Sequence, residues 1–304
     1  MLYNKFSMSS FHKGLLALLA TALFWGLGTT MMRGLLNHIP ALTLLFLRFG
    51  VATILFMPFF ISLKPWRRPK FGALLAISSL VGVNQTFFLT GLQRSSATMS
   101  QVVYAGVPLL IILLSFFLFH EQFPLRKIVG VVVGFCGIGF IMILSFREGG
   151  STIAGSLRGN ILLCFAVLFW SLYLLLSKKL SPYFSPLVIS GTSVMMAAAV
   201  ALPLALGSLI VNHTFGSFTT NDVISIVFIA VVPTFLTYLL YQYALNRLTA
   251  LGVSLSTYLG PIVTAGIAFF LLGERLTGTF VVGSILVFAG IFITTTLEIH
   301  HQRK

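Results

Sequence analysis

Long apolar runs that contain no charged residue follow one another along almost the whole chain. The first extends from Gly14 to Met32 between Lys13 and Arg33, and comparable runs recur up to the C-terminus. One helical crossing of a bilayer requires roughly 20 apolar residues, and backbone at that depth must satisfy its own hydrogen bonds. Only 8% of the residues are charged, whereas a soluble domain has about 25%. The sequence therefore predicts an all-α polytopic membrane protein.

Charged residues and prolines divide the chain into ten predicted transmembrane helices. These lie at about residues 14–32, 40–61, 71–93, 97–119, 128–146, 159–177, 185–209, 223–246, 250–272 and 277–297. Thirteen lysines and arginines fall on the side of the N-terminus and five on the other side, with Arg48 left inside the second helix. Because positive loops remain cytoplasmic, both termini are predicted in the cytoplasm. This distribution explains most of the net charge of +14, and no nucleic-acid partner is expected.

The two halves of the sequence resemble each other. Leu23 to Gly26 matches Leu168 to Ser171, and a second set of eight matching pairs is offset by 153 residues. We therefore divide the chain into two five-helix repeats, residues 1–150 and 151–304. Because five is odd, the second repeat must enter the membrane from the opposite side. Inverted repeats place a substrate site between the halves and allow alternating access, so the repeat predicts a transporter.

Several of these motifs carry a family resemblance. Arg48-Phe49, the pairs Arg94/Arg247, Pro108/Pro261 and Glu121/Glu274, and the glycine-rich helices after them resemble the drug/metabolite transporter superfamily. The chain is most similar there to the ten-helix EamA-like family of metabolite and amino-acid exporters. The resemblance covers nearly the whole chain. It implies a multi-pass carrier of the bacterial inner membrane, with a central cavity lined by both halves.

Arg48 is predicted about eight residues inside the second helix. A charge near the centre of the bilayer costs about 2.5–3.5 kcal/mol on insertion scales, so the side chain should face a cavity or a partner. The acids Glu121, Glu148, Asp222, Glu274 and Glu298 are all predicted at helix ends or in loops. Two interpretations stay open: Arg48 attracts an anionic substrate group, or it is structural and reaches helix-end carbonyls or the interface.

Aromatic and uncharged polar residues at similar depth are the other candidates for a binding site. Trp25 and Trp170 lie about 18 Å along their helices, where they line a cavity or pack helices together. The polar residues act either as ligands or as interhelical hydrogen-bonding groups. The predicted substrate-binding residues are Trp25, Arg48, Asn84, Gln85, Gln101, Tyr104, Trp170, Tyr238, Tyr241 and Tyr258.

Further residues have predicted mechanical roles. Pro108 and Pro261 interrupt the backbone pattern of helices four and nine and are candidate hinges. Glu121 is expected to pair with Arg126 or Lys127 and Glu274 with Arg275, as structural locks in preference to coupling sites. Glycines in helices five and ten predict their close packing; the oligomeric state, monomer or homodimer, stays open.

The sequence therefore favours an exporter or facilitator of small metabolites, most of all amino acids. This transporter is expected to need no cofactor or metal. No histidine or acid is predicted near the midplane, which favours a facilitator or exchanger over a proton-coupled carrier. An exporter of cationic drugs is the alternative, although no membrane acid is placed to attract one. An intramembrane enzyme would need a nucleophile and a base, and no such motif appears. Short loops and the lack of a filter motif disfavour a scaffold and a channel.

Overall fold

A computed structural model describes residues 8–121, 124–147, 155–212, 218–274 and 277–301. All regular elements within these ranges are helices, and the ranges contain no strand. In this part of the chain, seven helical spans are long and apolar enough to cross a membrane, and two shorter apolar helices, Ser256–Leu272 and Phe280–Gly290, follow them. The prediction of an all-α membrane protein is confirmed, and the count of ten crossings stays a prediction.

The helices follow the apolar runs closely. They are α1 (Met8–Leu35), α2 (Ala41–Leu63), α3 (Phe71–Gln93), α4 (Ala97–Tyr104), α5 (Val107–Phe119), α6 (Leu125–Arg147), α7 (Leu157–Lys178), α8 (Pro186–Asn212), α9 (Thr220–Ala230), α10 (Thr237–Arg247), α11 (Ala250–Ser254), α12 (Leu259–Leu272) and α13 (Gly278–His301). A 3₁₀ turn, Pro65–Arg67, follows α2. A π-helix, Val231–Leu236, joins α9 to α10, and a 3₁₀ turn, Leu255–Tyr258, joins α11 to α12.

Three helices that the sequence predicted as continuous are therefore interrupted. A proline lies in or shortly after each break, and proline has no amide hydrogen to donate to the preceding turn. Pro108 lies in the first turn of α5, directly after the break between α4 and α5. Pro233 lies within the π-helix. Pro261 follows the 3₁₀ turn and lies near the start of α12. Both candidate hinges thus lie beside a helix break, and their movement stays a prediction.

Glycines allow α6 and α13 to pack backbone against backbone. A Cβ on Gly290 would clash with the main chain of Gly130 and Gly134. A Cβ on Gly137 would lie 2.7 Å from the amide nitrogen of Val287. The predicted close packing of the fifth and tenth helices is confirmed.

The two halves of the chain are interleaved. α3 packs against α7 and α8, α2 against α8, and α1 against α10 and α12. Large apolar residues cover the outer surface of the bundle, with Phe270 83% and Ile262 67% exposed. Apolar surface of this extent suits contact with hydrocarbon and not with water. The inner faces of the helices from both halves then enclose the centre of the bundle.

Glu274 and Glu121, which the repeat pattern pairs, have different environments. The carboxylate of Glu274 accepts hydrogen bonds from the amides of Ala97 (2.8 Å) and Thr98 (3.1 Å), so it caps α4 from the end of α12. Its predicted partner Arg275 lies outside the described residues. Glu121 is exposed, and its carboxylate has no hydrogen bond or ion pair with any residue that the structure describes. The predicted pairing of Glu121 with Arg126 or Lys127 was wrong, since its exposed carboxylate contacts neither base in the described part of the chain.

This difference predicts unequal effects on stability. Glu274→Ala should lower the free energy of unfolding by about 1 kcal/mol, since removal of a capping side chain costs about 0.5–2 kcal/mol. Glu121→Ala, the matched control, should unfold at the wild-type temperature. Thermal unfolding of the purified protein in detergent measures both variants, and equal midpoints for the two would contradict the capping role.

Candidate functional site

A cavity lies between helices of both halves, about midway along α1, α3 and α7. The space open to the centres of water molecules is about 50 Å³. Since about 10–15 Å³ of such space accommodates one water, the cavity has room for several waters and not for a metabolite. Its walls are Ala22, Trp25, Thr29, Met32, Arg48, Gln85, Phe88, Gln101, Tyr104, Trp170, Ser256, Thr257 and Gly260.

Six of the ten predicted substrate-binding residues line this cavity, and four lie outside it. The six are Trp25, Arg48, Gln85, Gln101, Tyr104 and Trp170. Of the others, Asn84 is buried behind the wall, where its amide donates to the Tyr104 hydroxyl (2.8 Å). Tyr238 and Tyr241 pack behind the tryptophans, and Tyr258 packs edge-on to Phe288. The sequence indicated how far along its helix each residue lies, but it did not indicate the direction in which each side chain points.

Sequence reasoning missed several polar residues of the wall. Thr29 lies one helical turn after Trp25, a spacing that places both on one face of α1, and this signal was available. Ser256 and Thr257 lie in the 3₁₀ turn before α12. Their exposure to the cavity depends on that interruption, which the sequence did not predict.

Arg48 is the charged residue of the cavity wall. Only 2% of its surface is exposed. Its Nε donates to the Thr234 hydroxyl (2.5 Å), and its Nη1 approaches the Met32 sulfur (2.9 Å) and the Gln85 side-chain oxygen (3.3 Å). Among the described residues Nη2 has no hydrogen-bond acceptor, and no carboxylate pairs with the guanidinium. The positive charge is therefore held by neutral groups and remains available to an anion.

Aromatic rings form the wall beside this charge. The ring centroids of Trp25 and Trp170 are 5.5 Å apart, in an edge-to-face arrangement. Tyr241 lies 4.9 Å from Trp25 and 5.4 Å from Trp170, and Tyr238 contacts both indoles. Such clusters bury apolar surface in defined orientations. The two indoles thus both line the cavity and pack the helices, so the two interpretations of the sequence are compatible.

Several polar groups around the cavity are only partly satisfied. The hydroxyls of Tyr238 and Tyr241 and the indole N–H of Trp170 lack a partner with good hydrogen-bond geometry in the described part of the chain, although Gln85 lies near Tyr238, and Trp170 lies near Tyr241. Most buried polar side chains in proteins do have partners. The cluster can therefore form new hydrogen bonds when its surroundings change.

Glycine positions bring the walls close together. A Cβ on Gly26 would lie 2.6 Å from Val263, and one on Gly28 would lie 2.6 Å from Pro233. α12 and the π-helix thus fill the space beside these two glycines. A Cβ on Gly260 of α12 would meet the side-chain oxygen of Gln101 at 2.5 Å, and the Gln101 amide donates to Thr29 at 2.9 Å.

The described residues contain no group of three or more His, Cys, Asp or Glu side chains that could hold a metal ion. The cavity wall contains arginine, amides, hydroxyls and aromatic rings, and the part of the chain that forms it contributes no acid and no histidine. After widening, this wall would offer a small polar molecule one positive charge, several neutral hydrogen-bonding groups and two indoles.

The bundle of apolar helices around a polar cavity is typical of a membrane transporter. Comparison with known families agrees, because the sequence profile of the EamA-like transporter family matches residues 12–143 and again residues 157–296. The chain therefore belongs to the EamA-like transporter family.

Individual relatives extend over nearly the full length of the chain. A "probable amino-acid metabolite efflux pump" of Salmonella typhimurium is 27% identical, with 92% of this chain and 93% of the relative aligned. The protein of the same name in Escherichia coli is 24% identical over the same shares of both chains. An uncharacterized transporter of Archaeoglobus fulgidus is 27% identical, with 91% of this chain and 97% of the relative aligned. A solved crystal structure has the same fold, with a TM-score of 0.66 at 18% identity, and covers 98% of this chain and all of that one.

The environment of Arg48 predicts that its charge does not stabilise the fold. Arg48→Met should leave the thermal midpoint in detergent unchanged or raised, because a buried charge without a carboxylate partner is replaced by an apolar side chain. Asn84→Ala is the contrasting variant. It removes hydrogen bonds to Tyr104 and to the Ala166 carbonyl, and should cost about 1–3 kcal/mol. A large loss of stability in Arg48→Met would indicate a structural arginine.

Proposed function

We propose that this protein is an exporter or facilitator of small metabolites that carry a carboxylate, and that it transports them across the bacterial inner membrane. Amino acids are the favoured substrates. Two inverted five-helix repeats, residues 1–150 and 151–304, would give alternating access to the cavity between them. Ten crossings and cytoplasmic termini complete the proposal. The observation that carries it is the buried, acid-free environment of Arg48 in the cavity wall.

The charge of the cavity supports an anionic group on the substrate. At low dielectric a buried guanidinium interacts far more strongly with an opposite charge than it does in water, and a carboxylate matches its planar donors. Its Nη2 has no acceptor among the described residues. A substrate carboxylate would supply both the missing acceptor and the missing negative charge.

The remainder of the wall supports a small zwitterion. An ammonium group is attracted to the face of an indole, and both Trp25 and Trp170 line the cavity beside Arg48. The oxygens of Gln85 and Gln101 provide further acceptors. The names of the Salmonella and Escherichia coli relatives, amino-acid metabolite efflux pumps, support the same class of substrate.

The repeat arrangement has its own support. The profile of the family matches once in each half of the chain, and residues at an offset of 145, such as Trp25 and Trp170, meet in one aromatic cluster. The narrow cavity must widen toward one side before a metabolite enters, as alternating access requires. With no acid or histidine in the described wall to carry a proton, transport down a substrate gradient fits better than proton coupling.

Arg48→Ala should strongly lower transport of the carboxylate substrate. In proteoliposomes preloaded with a pool of unlabelled amino acids, without a pH gradient or voltage, the wild type should take up labelled amino acids by counterflow. Loss of a charged hydrogen bond is worth about 1.5–3 kcal/mol, so uptake at low substrate concentration should fall at least about tenfold.

Arg68→Ala serves as the matched control, because it removes an exposed arginine whose described contact is a long hydrogen bond of 3.5 Å to the Tyr183 carbonyl. Wild-type counterflow in correctly inserted Arg48→Ala would refute the carboxylate proposal. Counterflow of a cationic drug and of no amino acid would instead support the alternative of a drug exporter.

Inverted topology predicts that equivalent loop positions face opposite sides of the membrane. Asn37 follows α1, and Pro182, 145 residues later, follows α7; both are exposed. In a variant that lacks Cys136 and Cys164, a membrane-impermeant maleimide added to intact cells should label Asn37→Cys. It should label Pro182→Cys only after the inner membrane is opened. Labelling of both from the same side would rule out the inverted repeat.

A further inference from the structure

The hydroxyl of Thr234 completes a turn of helix that a proline leaves open. In an α-helix the carbonyl of Ile229 would accept from the amide of residue 233, but Pro233 has no amide hydrogen. The chain forms a π-helix at this point, and the Thr234 hydroxyl donates to the Ile229 carbonyl at 2.7 Å. Thr234 itself is fully buried.

This hydrogen bond determines how Thr234 interacts with Arg48. A hydroxyl has one proton and two lone pairs, and the proton is used by Ile229. The oxygen therefore acts as an acceptor toward Nε of Arg48, which lies 2.5 Å away. Because Nε is held at this point, the plane of the guanidinium is fixed, with Nη1 toward Met32 and Gln85.

The same π-helix also holds the neighbouring indole. The carbonyl of Pro233 accepts from Trp25 Nε1 at 3.1 Å, and Gly28 allows α1 to approach Pro233 closely. One short segment of the second half thus sets the positions of two cavity residues from the first half. Ligand-binding groups need such supporting contacts to hold their geometry.

We propose that Thr234 is a positioning residue for Arg48 and thereby determines how tightly the cavity binds carboxylate substrates. The inference rests on the proposed function, in which Arg48 receives the substrate carboxylate. Without the hydroxyl, Nε of Arg48 loses its acceptor, and the guanidinium is free to turn toward other groups. The charge then remains in the cavity but no longer at a fixed orientation.

The test compares three variants at this position by counterflow of labelled amino acids in proteoliposomes. Thr234→Val, similar in shape, should raise the half-saturation concentration about tenfold with a smaller change in maximal rate, since one charged hydrogen bond that orients the ligand is lost. Thr234→Ala removes the same hydroxyl without placing a new methyl group beside Arg48, and it should raise the half-saturation concentration as Thr234→Val does. Thr234→Ser keeps the hydroxyl and should stay within about twofold of the wild type.

Thr192→Val is the matched control, because Thr192 is also buried and donates to the carbonyl of Val188 four residues earlier in α8, away from the cavity. It should transport as the wild type does. Combining Thr234→Val with Arg48→Ala should have no effect beyond that of Arg48→Ala alone, since the threonine acts through the arginine.

Two results separate the inference from the proposed function. If Arg48→Ala strongly lowers counterflow while Thr234→Val and Thr234→Ala both transport with the wild-type half-saturation concentration, Thr234 does not position Arg48 and the inference alone is overturned. If Arg48→Ala transports normally, the carboxylate site itself is wrong. A Thr234→Ser variant as impaired as Thr234→Val would also overturn the role of the hydroxyl.

Discussion

The structure depends first on the absence of water around its backbone. At bilayer depth each N–H and C=O needs an internal partner, and this requirement explains why every regular element of the described chain is a helix. It also explains where the helices deviate. Pro108 and Pro233 each remove one donor, and the chain responds with a break between α4 and α5 and with a π-helix after α9. The irregular turns lie beside the cavity, where side-chain hydroxyls can satisfy the carbonyls that are left open.

The charge of Arg48 is the second constraint, and it is tied to the first. The hydroxyl that satisfies the Ile229 carbonyl also accepts from Arg48 Nε. A neutral group thus stabilises a buried cation without neutralising it. An acid at this position would form a closed ion pair, and the cavity would lose its attraction for anions. The proposed binding of carboxylates depends on the neutral partner that the fold gives Arg48 as much as on the arginine itself.

The two halves share their pattern of residues but differ in their contacts. Glu274 caps α4, whereas its counterpart Glu121 lies exposed at the end of α5. Other corresponding elements contact each other directly. α13 packs closely on α6 at Gly283 and Gly290, and Trp25 contacts Trp170 in one cluster. Two copies of one sequence pattern in a single conformation of the protein need not contact the same kinds of neighbouring residues. The proposed alternating access would require such asymmetry whenever the cavity is accessible from one side only.

The sequence by itself predicted the membrane class, the positions of the apolar helices apart from their three interruptions, and six residues of the cavity wall. These follow from local quantities, namely the length of apolar runs, the placement of charges and the depth of a polar residue within its run. Tertiary structure decided which side chains face the cavity. Tyr238 and Tyr241 pack behind the indoles, and Asn84 lies behind Tyr104, because their direction depends on helix rotation and on breaks at Pro108, Pro233 and the Leu255–Tyr258 turn. The partnership of Thr234 with Arg48 joins residues 186 positions apart, and no pattern of local spacing specifies a contact of that range.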